Sequence, residues 1–452
     1  MLSAMRRDWN YFWFEPSPSN SFGLLRLAIG LLAMIAGLQL WPDRFAWFSE
    51  HGVLPTPLSD YFNVRAVDGP RPLNLFHVFH PDWFITLFFV LFIAATFLMT
   101  IGLWSRLATL LVYLGLNVIH TRNAMVNTTG GDCVMLCMSF FLLLGPCGAS
   151  CSVDRLLRVL AGKEGDEPPP FLPWPIRLAQ LQVVIIYATT FLAKTRGQMW
   201  QNGMAMYYPY SLPEFHRFPI PFIDANHIWL INLLTYGALA IEFALASLIF
   251  VPRLRLYVIA AGIVLHLGIE YSMNIPLFGW LMMASYLAFI KQRDIRNLCA
   301  WLPKTLNLTP LRLVYDGECD FCRSILLVIR FFDVFRLVRF LDYHRPDELL
   351  LAGDVAVEQA EEAAIAVDVR GRQYAGYYAF RQVCRRVPMF ASLLVIMYLP
   401  GIPALGERIY RWITENRSHL PVAGRYRVHH IQAAAPDEEI PNGSATQHEA
   451  LR

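Results

Sequence analysis

Charge is what this sequence has least of. Asp, Glu, Lys and Arg make up 16% of its 452 residues, against about 25% in an average soluble domain. The shortage is local. Long apolar runs with few charges fill residues 22–292, whereas 303–452 has the mixed composition of a water-soluble domain. A net charge of +3 is too small to point to nucleic acid as a partner. The first twenty residues lack a small-residue cleavage site. They carry Arg6 and Arg7, then Trp9, Tyr11, Phe12, Trp13 and Phe14, a basic and aromatic mixture suited to a membrane interface rather than to a cleavable signal peptide. No internal repeat stands out. Cysteine is sparse after the dithiol described below: Cys384 alone follows Cys322, so a second pair that would complete a four-cysteine zinc site is missing.

What is present predicts an α-helical polytopic membrane bundle followed by an α/β domain. The apolar runs predict about eight membrane helices, at 23–41, 83–103, 107–121, 131–149, 176–193, 228–250, 256–273 and 276–291. The expected organisation is an interfacial segment 1–22, a membrane domain 23–292, a linker 293–310, a globular domain 311–425 and a polar, disordered tail 426–452. Lys and Arg concentrate in one set of connections, including Arg6, Arg7, Arg106, Arg155, Arg158, Arg253 and Arg255, which places the N-terminus in the cytoplasm. An even number of crossings puts the C-terminal domain there too. The expected home is a bacterial-type inner membrane. The outer connections 42–82 and 194–227 are long, and the second is rich in Pro, Tyr and Phe, a composition for a lid or an interfacial element.

The chemistry-bearing stretch is Asp316-Gly317-Glu318-Cys319-Asp320-Phe321-Cys322. It follows an expected strand, Leu311–Tyr315, and opens an expected helix over 323–335. Two-residue spacing brings both sulfurs to the first helical turn, where the partial positive charge of the helix start favours a thiolate. Cys319 is then the attacking sulfur and Cys322 the resolving one, with Asp316 and Glu318 tuning the site. The acidic neighbours oppose ionisation, so the expected depression of the Cys319 pKa is modest. In a reducing compartment such a pair acts as a reductant or exchanger and needs no cofactor. Half of a zinc site, with His429 and His430 contributing, is the alternative, and inert thiols a further one; His344 and His419 are not spaced as ligands. No metal is expected. The partners expected are the lipid membrane and a thiol or disulfide, on a protein or a small molecule.

Ionisable groups also occur where lipid is expected: Arg26, His120, Asp132, Lys194, Glu242, His266 and Glu270. Such groups are costly in a membrane and tend to be functional. His266 and Glu270 are four apart and share a helix face. Glu242, His266 and Glu270 are expected to form one internal polar network. Arg26 and Lys194 lie near helix ends, where they can also simply reach the headgroups. Cys133 with Cys137, and Cys147 with Cys151, are read as small core residues rather than as a relay.

Two resemblances follow. Residues 22–292 resemble the HTTM membrane domain, which is the domain of vitamin K-dependent gamma-carboxylase. The carrying segments are Cys151-Ser152-Val153-Asp154, the run from Tyr187 to Lys194 with Trp200-Gln201-Asn202-Gly203 after it, and His266 with the stretch from Ser272 to Trp280. The resemblance implies that Lys194 matches the carboxylase base and that the bundle can hold a quinone or lipid, with Lys194 and His266 as catalytic candidates and Glu242 and Glu270 lining the site. The turn 127–132 has no histidine where the carboxylase has one, which argues against peptidyl-glutamate carboxylation. Residues 311–425 resemble the DCC family of thiol-disulfide oxidoreductases, which have a thioredoxin-like fold. The match runs through Tyr315 to Cys322, Gly371, Tyr374 to Phe380, Leu399-Pro400-Gly401-Ile402-Pro403 and Ile409-Tyr410. Strands are expected at 311–315, 337–341, 364–369 and 372–374, followed by helices over 377–416 broken at Pro388, Pro400 and Pro403. The strand at 364–369 lacks the preceding proline that thioredoxins carry. Three functions compete: a membrane thiol-disulfide oxidoreductase, a quinone-dependent membrane enzyme fed by the dithiol, and a non-catalytic platform or transporter with a redox-sensing domain.

Overall fold

The computed structural model describes residues 2–67, 74–122, 130–165, 167–218 and 226–417. The expected tail 426–452, His419, His429 and His430, Pro219 and Pro221, and Asn127 to Thr129 lie outside them. The chain divides into two compact units. The first holds residues 1–159 and 164–295, and the second holds 160–163 with everything from Arg296 onward.

In the first unit an N-terminal helix α1 (Leu2–Phe14) precedes α2 (Asn20–Leu40), α3 (Asp82–Ile101), α4 (Ser105–Arg122), α5 (Gly130–Leu144), α6 (Trp174–Thr195), α7 (Ile228–Ser247), α8 (Arg255–Ser272) and α9 (Phe278–Ser285), the last extended by a 3-10 turn, Tyr286–Phe289. Each expected crossing coincides with one of α2 to α9. Four of them, α2, α3, α6 and α7, are long and apolar enough to cross a membrane by themselves. α5 and the α9 segment are apolar but shorter. The chain is an integral membrane protein on this evidence. Short helices Arg44–Phe48, Thr56–Val67 and Leu75–Val78 occupy the first long connection, and Gln198–Gln201 and Tyr207–Ser211 the second.

Small residues let the helices approach. Glycine at 37 and at 115 presents bare backbone to the ring of Phe92, and a Cβ at 115 would sit 2.4 Å from it. Glycine at 30 lies against the backbone of Thr100 in the same way. With lipid outside as apolar as the core, such close contact is what drives helix association. Polar ends need separate treatment. The guanidinium of Arg26 is fully buried and donates to the carbonyls of Met99, Thr100 and Cys151. Two of these are the orphan acceptors at the end of α3. Gly102 then turns the chain with φ +73°, with Arg26 where a Cβ would be. The next helix start is closed by Asp154, which accepts from the amides of Trp104 and Ser105 at 2.9 and 2.8 Å. The connection from Glu164 to Pro173 is pinned at both ends. Glu164 pairs with Arg155 and Arg158, and Pro170–Phe171 pairs antiparallel with Ser17–Pro18.

The second unit is a four-stranded mixed sheet with helices on both faces. Its elements are β1 (Leu311–Tyr315), α10 (Asp320–Phe332), β2 (Val338–Asp342), β3 (Ile365–Val367), β4 (Gln373–Ala375), α11 (Tyr377–Arg386), α12 (Ala391–Met397) and α13 (Ile402–Asn416), with short helices Pro346–Leu350 and Val357–Glu362 between β2 and β3. The strand order is β2-β1-β3-β4, with β2 parallel and β3 antiparallel to β1. Alternation along β1 sorts the core. Leu311 and Leu313 pack with Leu326, Ile329 and Val383 from α10 and α11. Val314 faces the other side, with Leu341, Ala352 and Ala360. Between α10 and β2 the buried carboxylate of Asp333 accepts from the amides of Leu337 and Val338 at 2.9 and 2.8 Å, which fixes where β2 begins.

Replacing Arg26 by Met leaves buried carbonyls at the end of α3 without a donor. Arg26→Met should lower stability by about 2 kcal/mol or more, read as a lower thermal unfolding midpoint of the detergent-solubilised protein. An unchanged midpoint would mean that Arg26 is not the fastening of that end.

Candidate active site

The dithiol sits at the carboxyl end of β1, where the chain leaves the sheet and enters α10. The expected helix start at 323 moves back to Asp320, and Cys319 becomes the N-cap. A helix leaves its first amides without partners, and the Cys319 sulfur accepts one of them, from Cys322 N, at 3.2 Å. The preceding loop is folded by its own carboxylates. Asp316 Oδ1 accepts from the amides of Glu318 and Cys319 at 3.0 and 3.2 Å. Asp342, at the end of β2, accepts from Gly317 N at 3.1 Å. Glycine is required at 317, because a Cβ there would fall 2.0 Å from the Asp342 carboxylate. Arg323 donates to the Gly317 carbonyl at 3.1 Å and pairs with Asp320.

Hydrogen bonds from Cys322, first its side chain and then its amide, pull the Cys319 thiol down from the usual range to about 6. Burial and the Asp316 carboxylate act against this, and Arg417 assists. Cys322 shifts the other way, held protonated by its bond to Cys319 and by burial. The division is the one an exchange site needs: a thiolate that attacks and a thiol that waits. The depression is larger than the modest one the acidic sequence implied, and Arg417 supplies the missing cation. It lies at the end of α13, 3.4 Å from Asp316 Oδ2 and within hydrogen-bonding reach of Cys322. His344 approaches the same carboxylate, with Nε2 3.2 Å from Asp316 Oδ1. No local pattern marks Arg417, which is brought to the dithiol from almost a hundred positions away.

Tyr410, also on α13, adds a second contact. Its hydroxyl accepts from Ala364 N at 2.9 Å, just ahead of β3. A proline there would have no such amide. The Ala364 amide, the last donor before β3, is thus taken up by Tyr410.

The membrane residues do not join into one hydrogen-bonded network. Lys194 donates to Glu242 and lies 4.9 Å from the Trp200 ring centroid. His266 Nε2 is 2.7 Å from the hydroxyl of Tyr187, which is 2.5 Å from that of Tyr286. Glu270 pairs with Arg217 at 3.4 Å. The shared face of His266 and Glu270 is real, but the partners on either side differ. Tyr187 and Tyr286 carry the polar chain and were not singled out as ionisable candidates. His266 Nδ1 and one carboxylate oxygen each of Glu242 and Glu270 are buried without a hydrogen-bond partner. Glycine at 279 admits the Glu270 carboxylate, and glycine at 262 the Tyr286 hydroxyl. His120 lies 3.9 Å from Asp132. The buried thiol of Cys147 contacts Thr109 at 3.6 Å. Among the described residues no three His, Cys, Asp or Glu side chains converge as a metal site.

Comparison with known proteins matches residues 14–293 to the HTTM domain and residues 313–423 to the DCC1-like thiol-disulfide oxidoreductases. The chain is also similar to the sporulation-delaying protein SdpB of Bacillus subtilis (strain 168), 30% identical over 140 residues. That alignment spans 28% of this chain and 42% of SdpB. No solved structure matches.

The rate of Cys319 alkylation by iodoacetamide should follow a titration with a midpoint near 6, about tenfold slower at pH 5 than on its plateau. Arg417→Ala should raise that midpoint by less than about one pH unit. Because the folded-state value is depressed, the stabilisation from the Cys319 thiolate is present above the ordinary thiol pKa and fades as pH falls through about 6. A midpoint in the ordinary thiol range for the native protein would contradict this site geometry.

Proposed function

The chain belongs to the HTTM domain family and carries a DCC1-like thiol-disulfide oxidoreductase domain, and on that premise we propose that it reduces or exchanges disulfides through Cys319 and Cys322. The single observation that carries this reading is the N-cap position of Cys319, whose sulfur accepts the Cys322 amide. The strand order β2-β1-β3-β4 with a dithiol after β1 supports a thioredoxin-like fold. In the first step the Cys319 thiolate attacks a substrate disulfide. A Cys319–substrate disulfide forms, the substrate bond breaks, and the departing sulfur takes a proton. In the second step Cys322 gives up its proton and attacks Cys319. The Cys319–Cys322 disulfide forms and the second substrate sulfur leaves as a thiolate. Two electrons pass from the dithiol to the substrate. Arg417, within hydrogen-bonding reach of Cys322, would meet charge developing on it. The partner is a thiol or disulfide, on a protein or a small molecule, and no cofactor takes part in the exchange itself.

We read the bundle as crossing an inner membrane about eight times, with both termini in the cytoplasm. In that compartment the dithiol is kept reduced and acts as a donor. A second reading couples the dithiol to a quinone or lipid in the bundle. It is favoured by the half-buried Lys194 paired with buried Glu242 and by the Tyr286–Tyr187–His266 chain, side chains of the kind that handle protons.

Trapping with a bulky maleimide before and after dithiothreitol should give a redox-dependent mobility shift that Cys319→Ser abolishes. The same shift in the serine variant would remove the exchange reading. Dithiol-dependent reduction of added menaquinone by the purified protein would select the quinone-coupled version, and no turnover would discard it. For topology, a phosphatase reporter active only outside should be silent at the C-terminus and active when fused at Gly203. Strong activity at the C-terminus would overturn both the cytoplasmic placement and the donor role.

A further inference from the structure

The helices that follow β4 carry an apolar surface the domain does not use. Neither α12 nor α13 has a buried residue. On α12, Leu393, Val395 and Ile396 are 48%, 69% and 52% exposed. On α13, Leu405, Ile409 and Trp412 are at least half exposed, and their spacing of four and three puts them on one face. Arg408 and Arg411 are exposed on the adjacent stripe. On α13 itself Arg408 and Arg411 are balanced by Glu407 and Glu415. The opposite side of α13 serves the domain: Gly406 lies under the ring of Tyr377, and Tyr410 packs on Phe380.

Together the two helices are apolar enough for a broken span or a re-entrant loop, but their geometry does not make a straight crossing. They meet at 109°, and α13, with 15 residues, is about 22 Å long, short of the roughly 30 Å hydrocarbon core. It also carries Glu407, Arg408, Arg411 and Glu415. Short helices with an apolar face, flanking arginines, a tyrosine at the bend (Tyr398) and a tryptophan on the stripe have the composition of an element lying in the interface plane. Arg408 and Arg411 flank the apolar stripe, where long side chains reach the headgroup level, and the same chain is already anchored in a membrane by its HTTM domain.

We propose that the α12–α13 elbow seats on the surface of a lipid bilayer, its apolar stripe at the acyl boundary and Arg408 and Arg411 at the phosphates. Since α13 also delivers Tyr410 and Arg417 to the dithiol, a seated elbow holds the dithiol beside the membrane and favours disulfides carried in or on it. That consequence rests on the exchange reading; the docking itself does not.

The test uses the full chain in nanodiscs of phosphatidylcholine and phosphatidylglycerol. Photoreactive benzoylphenylalanine replaces Leu393, Ile409 or, as a control, the exposed Glu358. After irradiation, mass spectrometry should find lipid adducts at 393 and 409 and none at 358. Adducts only to protein, whether the membrane unit, residues 418–452 or a second copy, overturn the proposal, as does the absence of lipid adducts. A double variant, L393E with I409E, should lose about tenfold in rate toward a lipid-anchored disulfide. Its rate toward glutathione disulfide should stay unchanged, which also shows that the domain is folded. Equal effects on the two substrates would remove the interfacial role. A wild-type protein inert to both disulfides but yielding lipid adducts would leave the docking standing and remove the exchange reading.

Discussion

A polar group taken out of water without a partner costs about 1–3 kcal/mol, and more if charged. In a chain this short of charge, that cost decides where each ion can be placed. Arg26 is the clearest case. It is fully buried among apolar helices, yet its donors end on carbonyls that the end of α3 and the Cys151 turn would otherwise leave bare. The same turn contributes Asp154 to the start of α4. Two helix ends, opposite in polarity, are thus closed by two residues of opposite charge from elsewhere in the sequence. The Cys151–Asp154 segment that carries the HTTM resemblance therefore has a structural reason to exist: it fastens the α3–α4 corner.

The dithiol obeys the same rule in a wetter setting. Its loop is built largely of acids, which by themselves disfavour a thiolate. The fold uses those acids up. Asp316 is spent on two amides, on the Arg417 guanidinium and on the His344 ring nitrogen. Asp342 is spent on the Gly317 amide. What then acts on Cys319 most directly is the hydrogen bonding from Cys322, and the sulfur behaves as the helix cap. The acidity of the motif is mainly architectural, and the ionisation of the thiol is set by the helix it caps.

This division explains what the sequence could and could not reveal. β1, β2, the hairpin of β3 and β4 and the break at Pro388 were legible because their signals are local: alternation, a Gly turn, a proline. The eight apolar segments were legible as helices for the same reason, although only α2, α3, α6 and α7 have the length and apolarity to cross unaided. Long-range partners were not legible. Nothing near Arg417 announces a cysteine pair, and nothing near Tyr187 announces His266. Glu242, His266 and Glu270 each have a different direct partner, because a shared helix face fixes which residues are neighbours on that helix but not which helix packs against each of them. Tyr187 did lie in the segment quoted for its family resemblance, so its position was visible while its role was not.

The absent proline before β3 belongs to the same argument. With no proline in this stretch, every residue leading into β3 keeps a backbone donor, and a bare one would have to find a partner. Here Tyr410 takes it. Tyr410 and Arg417 lie seven apart along α13 and its cap, two turns of one helix, so they reach the same side of the sheet. That side is opposite in character to the Leu405, Ile409 and Trp412 stripe. One helix thus answers two different surroundings: its polar reach completes the loop chemistry, and its apolar stripe is left for something other than the domain's own core. A change that detached α13 would therefore free the Ala364 amide, release Asp316 from its guanidinium and remove a cation near Cys322 in one event, leaving in place the Cys322 hydrogen bonds that act most directly on Cys319.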